Sequence, residues 1–224
     1  MATWDSADLL QRVRDLLNRP TIDQLFDDPK IYRWLTEAEA YWKPIIVAHY
    51  PDEMWSAPTL MTPAVDGKTF DFPVGVTDPI RFEVLESLTG LPLKRGAFWD
   101  PGSDYVLESG RIRITGGRSR SFIDGAPYVR YITAPGDIDA STESTINPPR
   151  LRALLAYGAA EMACRSGAAW GDPSYFEERA QTLAWGSPNV GDVGLIGQLK
   201  TIDHRGGMAS LEGSRPWAYW RPNG

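Results

Sequence analysis

Apolar residues recur at helical spacing in the first and the last third of the chain, whereas the middle third alternates and is broken by turn residues. The first helical pattern covers residues 4–20, where Asp5 or Ser6 can cap the helix and Pro20 stops it. One apolar stripe runs between these signals: Leu9, Val13, Leu16 and Leu17.

A second helix is predicted over residues 30–51, with helical spacing over about four turns. Its apolar positions are Ile31, Trp34, Leu35, Ala38, Tyr41, Trp42, Ile45 and Ile46. Pro44 lies inside this pattern and should kink the helix or end it early. The preceding Asp27 and Asp28, in "FDDP", are interpreted as residues that start the helix.

Two more helices are predicted near the end of the regular pattern. Asn147 can cap "PPRLRALLAYGAAEMACRSG", which begins with prolines suited to a first turn, and Gly158 and its alanines permit close helix packing. "DPSYFEERAQTLAWG" has Asp172 as its cap and Pro173 at its first position.

The centre, from about Glu53 to Pro135, is typical of short strands separated by turns. "PTLMTPAVDGKTFDFP" is typical of a hairpin, in which Asp66-Gly67 is a strong signal for a two-residue turn. Further strand candidates are "PIRFEVLESLTG", "YVLESGRIRI" and "PYVRYITAP". The basic loop "GGRSRS" carries Arg118 and Arg120, and it is either a solvated turn or a finger that faces DNA or a partner.

After Gly186 the periodicity ends and glycines become frequent, which predicts an extended arm. The predicted fold class is therefore α+β: an antiparallel helical bundle with a central β-rich insertion and an extended C-terminal arm. In domain terms, residues 1–52 and 136–186 form the helical core, residues 53–135 the insertion and residues 187–224 the arm.

The arm differs chemically from the body. The whole chain carries a net charge of −6, which disfavours a general nucleic-acid binder, yet from Gly186 onward four basic residues outnumber three acidic ones. Near its end the arm places aromatic rings between arginines: Arg215, Trp217, Tyr219, Trp220 and Arg221. Residues of these types dominate interface energies, so we predict a partner-binding segment. The competing interpretation is that the rings fold back on the β insertion.

Catalytic and metal-binding patterns are missing from the sequence. The single cysteine, Cys164, excludes an internal disulfide and is expected to be a buried apolar residue. His49 and His204 have no metal ligands at suitable spacing, and Glu37 and Glu39 do not share a helix face. No phosphate-binding loop or nucleophile elbow is present. We therefore expect no enzymatic activity, no cofactor and no metal.

The order of these signals resembles the head-to-tail connector adaptors of tailed bacteriophages, also called head-completion or neck proteins. The resemblance rests on "YRWLTEAEAYW" (Tyr32–Trp42), "YITAPG" (Tyr131–Gly136), the proline-started alanine-rich helix and "YFEERAQTLAW". It covers Asp5 to about Trp185. The β insertion is longer than the pattern requires, and the pattern does not fix the aromatic arm.

The resemblance implies a ring, usually of twelve copies, bound beneath the portal protein of a filled capsid. It also implies neighbouring copies as partners, a connector or tail protein on the tail side, and DNA that passes through the channel without sequence recognition. The protein would then lie at the head-tail junction of the virion and in the host cytoplasm during assembly. No membrane is expected, because no apolar run approaches spanning length.

A second hypothesis is a carbohydrate-binding module or another tail-associated binding protein. The β insertion contains aromatic residues that could form a platform for sugar: Phe70, Phe72, Trp99, Tyr105, Tyr128 and Tyr131. Aromatic strand residues are more often core residues, which counts against this alternative.

Overall fold

The computed structural model describes residues 4–18, 26–76, 79–96, 102–115, 122, 124–187 and 193–198. These residues form helices and two antiparallel sheets, so the predicted α+β class is confirmed. The four main helices are α1 (Ser6–Leu16), α2 (Asp28–His49), α3 (Ala153–Arg165) and α4 (Pro173–Trp185). Short 3₁₀ turns span Asp52–Met54 and Pro149–Arg152.

Capping residues start α1, α2 and α4 where the sequence predicts them, whereas the predicted cap Asn147 is not the N-cap of α3, which follows a 3₁₀ turn and has no side-chain cap. The carboxylates of Asp5, Asp27 and Asp172 accept backbone hydrogen bonds at the starts of α1, α2 and α4. Such a cap satisfies a backbone N–H that has no partner inside the helix. The predicted starting role of "FDDP" is therefore confirmed.

Pro44 does not end α2 early, because the helix continues to His49. Proline removes one backbone donor from the helix. The turn that follows it buries Ile46 and Val47, which are 0% and 2% exposed. This apolar burial offsets the missing hydrogen bond, which a prediction based on local signals does not weigh.

The first hydrophobic core joins all four helices. α3 packs extensively against both α2 and α4, and it also contacts α1. Gly158 of α3 allows this approach, since a Cβ there would lie only 3.1 Å from the Cβ of Ala38 in α2. Cys164 is buried in the same core, as predicted, and burial raises the pKa of its thiol.

Seven strands form the β region: β1 (Thr59–Leu60), β2 (Thr62–Pro63), β3 (Thr69–Asp71), β4 (Arg81–Leu85), β5 (Tyr105–Glu108), β6 (Arg111–Ile114) and β7 (Tyr128–Ile132). One sheet has the order β1-β7-β4 and the other β2-β3-β6-β5. The predicted hairpin is confirmed, because β2 pairs with β3 across a loop that contains Asp66 and Gly67, but the predicted two-residue turn is wrong. The loop has five residues, and the Asp66 carboxylate accepts from the backbone N–H groups of Lys68 and Thr69.

The two sheets are connected to each other at both of their edges. Residues 59–63 supply β1 to one sheet and β2 to the other. On the opposite border, Leu93 N donates to Val84 O of β4 at 2.7 Å, and Gly96 N donates to Tyr105 O of β5 at 3.0 Å. The seven strands therefore form a small barrel-like enclosure.

The interior of this enclosure is a second hydrophobic core. Its buried members are Met61, Phe70, Val84, Leu93, Tyr105, Ile112, Ala126 and Val129. Ile132, at the end of β7, belongs instead to the helical core. The β region thus meets the helices where β7 ends, and the chain returns there towards the helical core.

Residues 195–198 form a helical turn, whereas the sequence pattern predicts an extended arm from residue 187. Ile196 is 0% exposed and belongs to the helical core. The apolar pair Leu195 and Ile196 explains the difference, because it gives this short segment a face to bury. Residues 199–224 of the predicted arm lie outside the described residues.

Candidate functional site

The side chains predicted to bind partners lie outside the described residues. These are the arm residues Arg215, Trp217, Tyr219, Trp220 and Arg221, and the loop residues Arg118 and Arg120. Their roles stay predictions. Within the described residues, three features have the chemistry of a functional or assembly site: a buried polar cluster, an acidic groove and a set of exposed aromatic side chains.

The buried polar cluster lies where α2 meets the end of β7. Lys43 is 1% exposed, and its Nζ donates to Thr133 Oγ1 at 2.9 Å and to Ala134 O at 3.2 Å. Nζ also donates to Thr145 Oγ1. An ammonium group has three donors, so these three acceptors satisfy it completely.

Glu39 lies one turn before Lys43 on the same helix face and is 0% exposed. Its carboxylate accepts from Thr145 N at 3.2 Å and from Thr145 Oγ1. The Thr145 hydroxyl therefore accepts from Lys43 and donates to Glu39, and it links the two buried charges. Ionised groups that are taken out of water need such partners, because an unpaired buried charge is costly.

Burial lowers the pKa of Lys43 from its ordinary value of 10.5 to about 8, and the nearby Glu39 opposes this shift. Lys43 therefore stays charged at neutral pH, as its three acceptors require.

A lysine, a threonine hydroxyl and a carboxylate can serve nucleophilic catalysis in principle. Here Lys43 and Glu39 are enclosed, and their hydrogen bonds tie two chain segments to α2. We interpret the set as a clamp, and Lys43, Glu39, Thr145, Thr133 and Ala134 are named the junction cluster.

The sequence contains a signal for the junction cluster, although no catalytic or metal-binding motif marks it. Glu39, Trp42, Lys43 and Ile46 follow the spacing i, i+3, i+4, i+7, so the two charges lie on the apolar face of α2. Glu37, in contrast, pairs with Arg33 at 3.0 Å on the outer face. The prediction that Glu37 and Glu39 do not share a face is confirmed.

The acidic groove lies between the first half of α2 and residues 137–140, with a volume of about 690 Å³. Pro29, Tyr32, Ile138 and Ala140 supply its apolar surface. Four carboxylates and one guanidinium also line it: Asp28, Glu37, Asp137, Asp139 and Arg33.

Ion pairs neutralise only part of this groove. Arg14 pairs with Asp28, and Arg33 pairs with Glu37. Asp139 accepts hydrogen bonds from Ser141 and Thr142, which lower the pKa of its carboxyl group and keep it negative. Asp137 is exposed and has no ion-pair partner among the described residues. The groove therefore presents negative charge beside apolar surface.

Burial and the nearby charges of Asp28 and Asp139 raise the pKa of Tyr32. Tyr32 therefore remains a neutral phenol at the groove surface. Among the described residues, no set of three or more His, Cys, Asp or Glu side chains is arranged to hold a metal ion, so the groove carboxylates do not form one.

The exposed aromatic residues lie at the corner between α3 and α4. Trp170 is 94% exposed, and Tyr175 is 50% exposed with the Arg179 guanidinium 5.3 Å from its ring centre. A large ring left in water is informative, because tryptophan is highly buried on average. This corner is a candidate contact surface.

The residues proposed for a sugar platform are partly core residues. Phe70 is 2% and Tyr105 is 3% exposed, and both belong to the barrel core. Phe72 packs edge-on against Phe82 at 5.2 Å between ring centres. Trp99 lies outside the described residues. Buried rings cannot stack on a sugar, so this arrangement does not favour the carbohydrate-binding alternative.

No protein-family profile matches the chain, and no curated protein matches it. Within the described residues, no helix combines the length and the apolarity that crossing a bilayer requires.

Proposed function

We propose that this protein is a structural adaptor of a bacteriophage neck. It forms a ring of twelve copies that binds the portal protein, joins the DNA-filled head to the tail and leaves a central channel for DNA. The body is an antiparallel helical bundle that carries the β barrel, and an extended C-terminal arm reaches a neighbouring copy or the portal. The protein acts in the virion, after assembly in the host cytoplasm.

The observation that carries the proposal is the packing of the four segments on which the resemblance rests. "YRWLTEAEAYW" lies in α2, and the alanine-rich and phenylalanine-bearing segments form α3 and α4 in the same core. The "YITAPG" segment contains Thr133 and Ala134, which accept hydrogen bonds from Lys43. Segments that are far apart in sequence thus build one rigid unit, as a ring subunit requires.

Surface chemistry also supports the proposal. A net charge of −6 suits a channel through which DNA slides without being gripped. Trp170 and Tyr175 are exposed rings of the kind that dominates protein interfaces. In this proposal they join Trp217, Tyr219 and Trp220 of the arm as contacts to other subunits, while Arg118 and Arg120 face DNA or a partner.

Sedimentation of the chain with and without a portal protein from the same genome tests this function. We expect the chain alone to sediment as a monomer or a weak oligomer, and to co-sediment with the portal as a stoichiometric assembly. A chain that never associates with the portal, at concentrations well above those in an infected cell, would refute the adaptor role.

A further inference from the structure

We propose that the acidic groove is the receptor for the aromatic arm of the neighbouring copy. This inference rests on the proposed function, because it supplies the contact that joins one ring subunit to the next. The occupant is the segment from Arg215 to Arg221. The groove is formed by Pro29, Tyr32, Glu37, Asp137, Ile138 and Asp139.

The groove and the arm segment are complementary in charge. Asp137 and Asp139 keep negative charge in the groove, and neither is neutralised by an ion pair among the described residues. The arm segment has two arginines and no acidic residue between positions 213 and 224. Arginine is suited to such a site because its planar guanidinium binds carboxylates with two parallel hydrogen bonds.

The groove and the arm segment also match in size and in apolar surface. The groove volume of about 690 Å³ lies within the range of ligand-binding pockets. Pro29, Tyr32 and Ala140 add apolar surface to the carboxylates of the groove, whereas Ile138 is only 3% exposed. The arm likewise combines apolar and charged groups, with Trp217, Tyr219 and Trp220 between two arginines. Rings can therefore cover the apolar surface while the arginines meet the carboxylates.

The last described residues and the groove lie on different sides of the helical core. Residues 193–198 lie beside Tyr157 of α3 and Leu183 of α4. The groove lies on α2, and α3 packs between α2 and α4. An arm that docks in the groove of a neighbouring copy makes a heterologous contact, and repetition of such a contact generates a ring where the rotation between copies closes.

The length of the arm is sufficient. Trp217 is 19 positions beyond Gln198, the last described residue. An extended chain of that length reaches about 60 Å, which exceeds the diameter of a small domain. The arm can therefore span a subunit boundary without strain.

A peptide-binding assay tests the receptor. The probe is a labelled peptide of residues 211–224, and its fluorescence anisotropy is followed on the full-length chain. That chain carries Trp217→Ser and Trp220→Ser, so that its own arm does not compete. We expect saturable binding that weakens with salt. Adding Glu37→Lys and Asp137→Lys, both at the groove surface, should lower the affinity at least about tenfold.

Two Lys substitutions elsewhere provide the matched control. Glu177→Lys and Glu178→Lys change the charge by the same amount on exposed positions of α4, away from the groove. They should leave the affinity within about twofold. Binding that is absent, or equal in the groove and control variants, overturns the proposal. Circular dichroism checks that each variant is folded.

A mixing experiment separates the neighbouring arm from the chain's own arm. One chain has an intact groove and the substituted arm, and the other has the substituted groove and an intact arm. We expect each alone to remain monomeric and the mixture to form a complex by analytical ultracentrifugation. No complex, at concentrations where the peptide binds, overturns docking between copies. These assays use no portal, so their failure differs from a failure of the adaptor function, which is measured by portal association.

Discussion

Lys43 is the residue whose environment departs most from what its type suggests. It is 1% exposed, although lysine is almost never fully buried without partners. Its three hydrogen bonds connect α2 to Thr133, Ala134 and Thr145. One side chain thus fastens the end of β7 and the segment before α3 to the same helix.

Replacing Lys43 with Met should lower the free energy of unfolding by about 3 kcal/mol, because the change leaves Glu39 buried without its cationic neighbour. Urea unfolding followed by circular dichroism measures the change. Lys68→Met, at an exposed position of the loop between β2 and β3, should remain within about 0.5 kcal/mol of the wild type. Equal effects of the two substitutions would contradict the clamp.

The low pKa of Lys43 predicts a pH dependence with a definite sign. The pKa is about 8 in the folded protein and near the ordinary 10.5 when the chain is unfolded. Between these values the unfolded chain binds the proton more strongly, so the contribution of Lys43 to stability rises with pH. The unfolding free energy of the wild type minus that of Lys43→Met should therefore increase from pH 8 to pH 10. A flat or decreasing difference would show that Lys43 does not titrate in this way.

At the scale of elements, the contact between α2 and α3 depends on one glycine. A Cβ at Gly158 would lie 3.1 Å from Ala38 Cβ and 3.3 Å from Trp42 Nε1. Both neighbours belong to α2 and are buried. The two helices therefore approach more closely than a larger residue permits.

A leucine at position 158 should lower the unfolding free energy by about 2 kcal/mol, because the core is close-packed and cannot absorb its volume. Gly158→Ala should cost less, since its steric conflict is offset by a gain in helix propensity of about 1 kcal/mol. Thermal unfolding of both variants measures this order. Thr182→Leu, at an exposed position of α4, is the control and should change the unfolding free energy only slightly. An equally small effect of Gly158→Leu would show that α2 and α3 are loosely packed at this position.

Elements defined by local signals were predictable from the sequence. Asp5, Asp27 and Asp172 each start a helix, and Asp66 with Gly67 marks a hairpin loop. These signals act within a few residues, so they can be recognised in one sequence. The closure of the barrel was not predictable, because residues 92–96 pair with both β4 and β5 through contacts that no local pattern encodes.

The candidate sites could not be predicted from the sequence, because they are formed by segments that are far apart in the chain. The acidic groove depends on residues 137–140 lying along α2, more than 100 positions from Asp28 in sequence. Thr145 is likewise 106 positions from Glu39. Such pairings arise from the whole fold, so the sequence showed the charges without showing which of them meet.

At the scale of the whole molecule, we expect a stable body and an arm that is used in assembly. Deleting residues 206–224 should leave the melting temperature within about 2 °C, because the deletion spares the buried Ile196 and the helical turn around it. The same deletion should weaken association with the portal, since it removes the aromatic and arginine contacts. Calorimetry and portal co-sedimentation measure the two effects. Unfolding of the truncated chain would instead place the arm in the core of its own body.

Electron microscopy of the chain mixed with a portal protein from the same genome tests the proposed adaptor role most directly. We predict a closed ring of additional density beneath the portal, with twelve copies of the α+β body around an open channel. Particles that show only the bare portal, while the chain remains monomeric in the same sample, would contradict the claim.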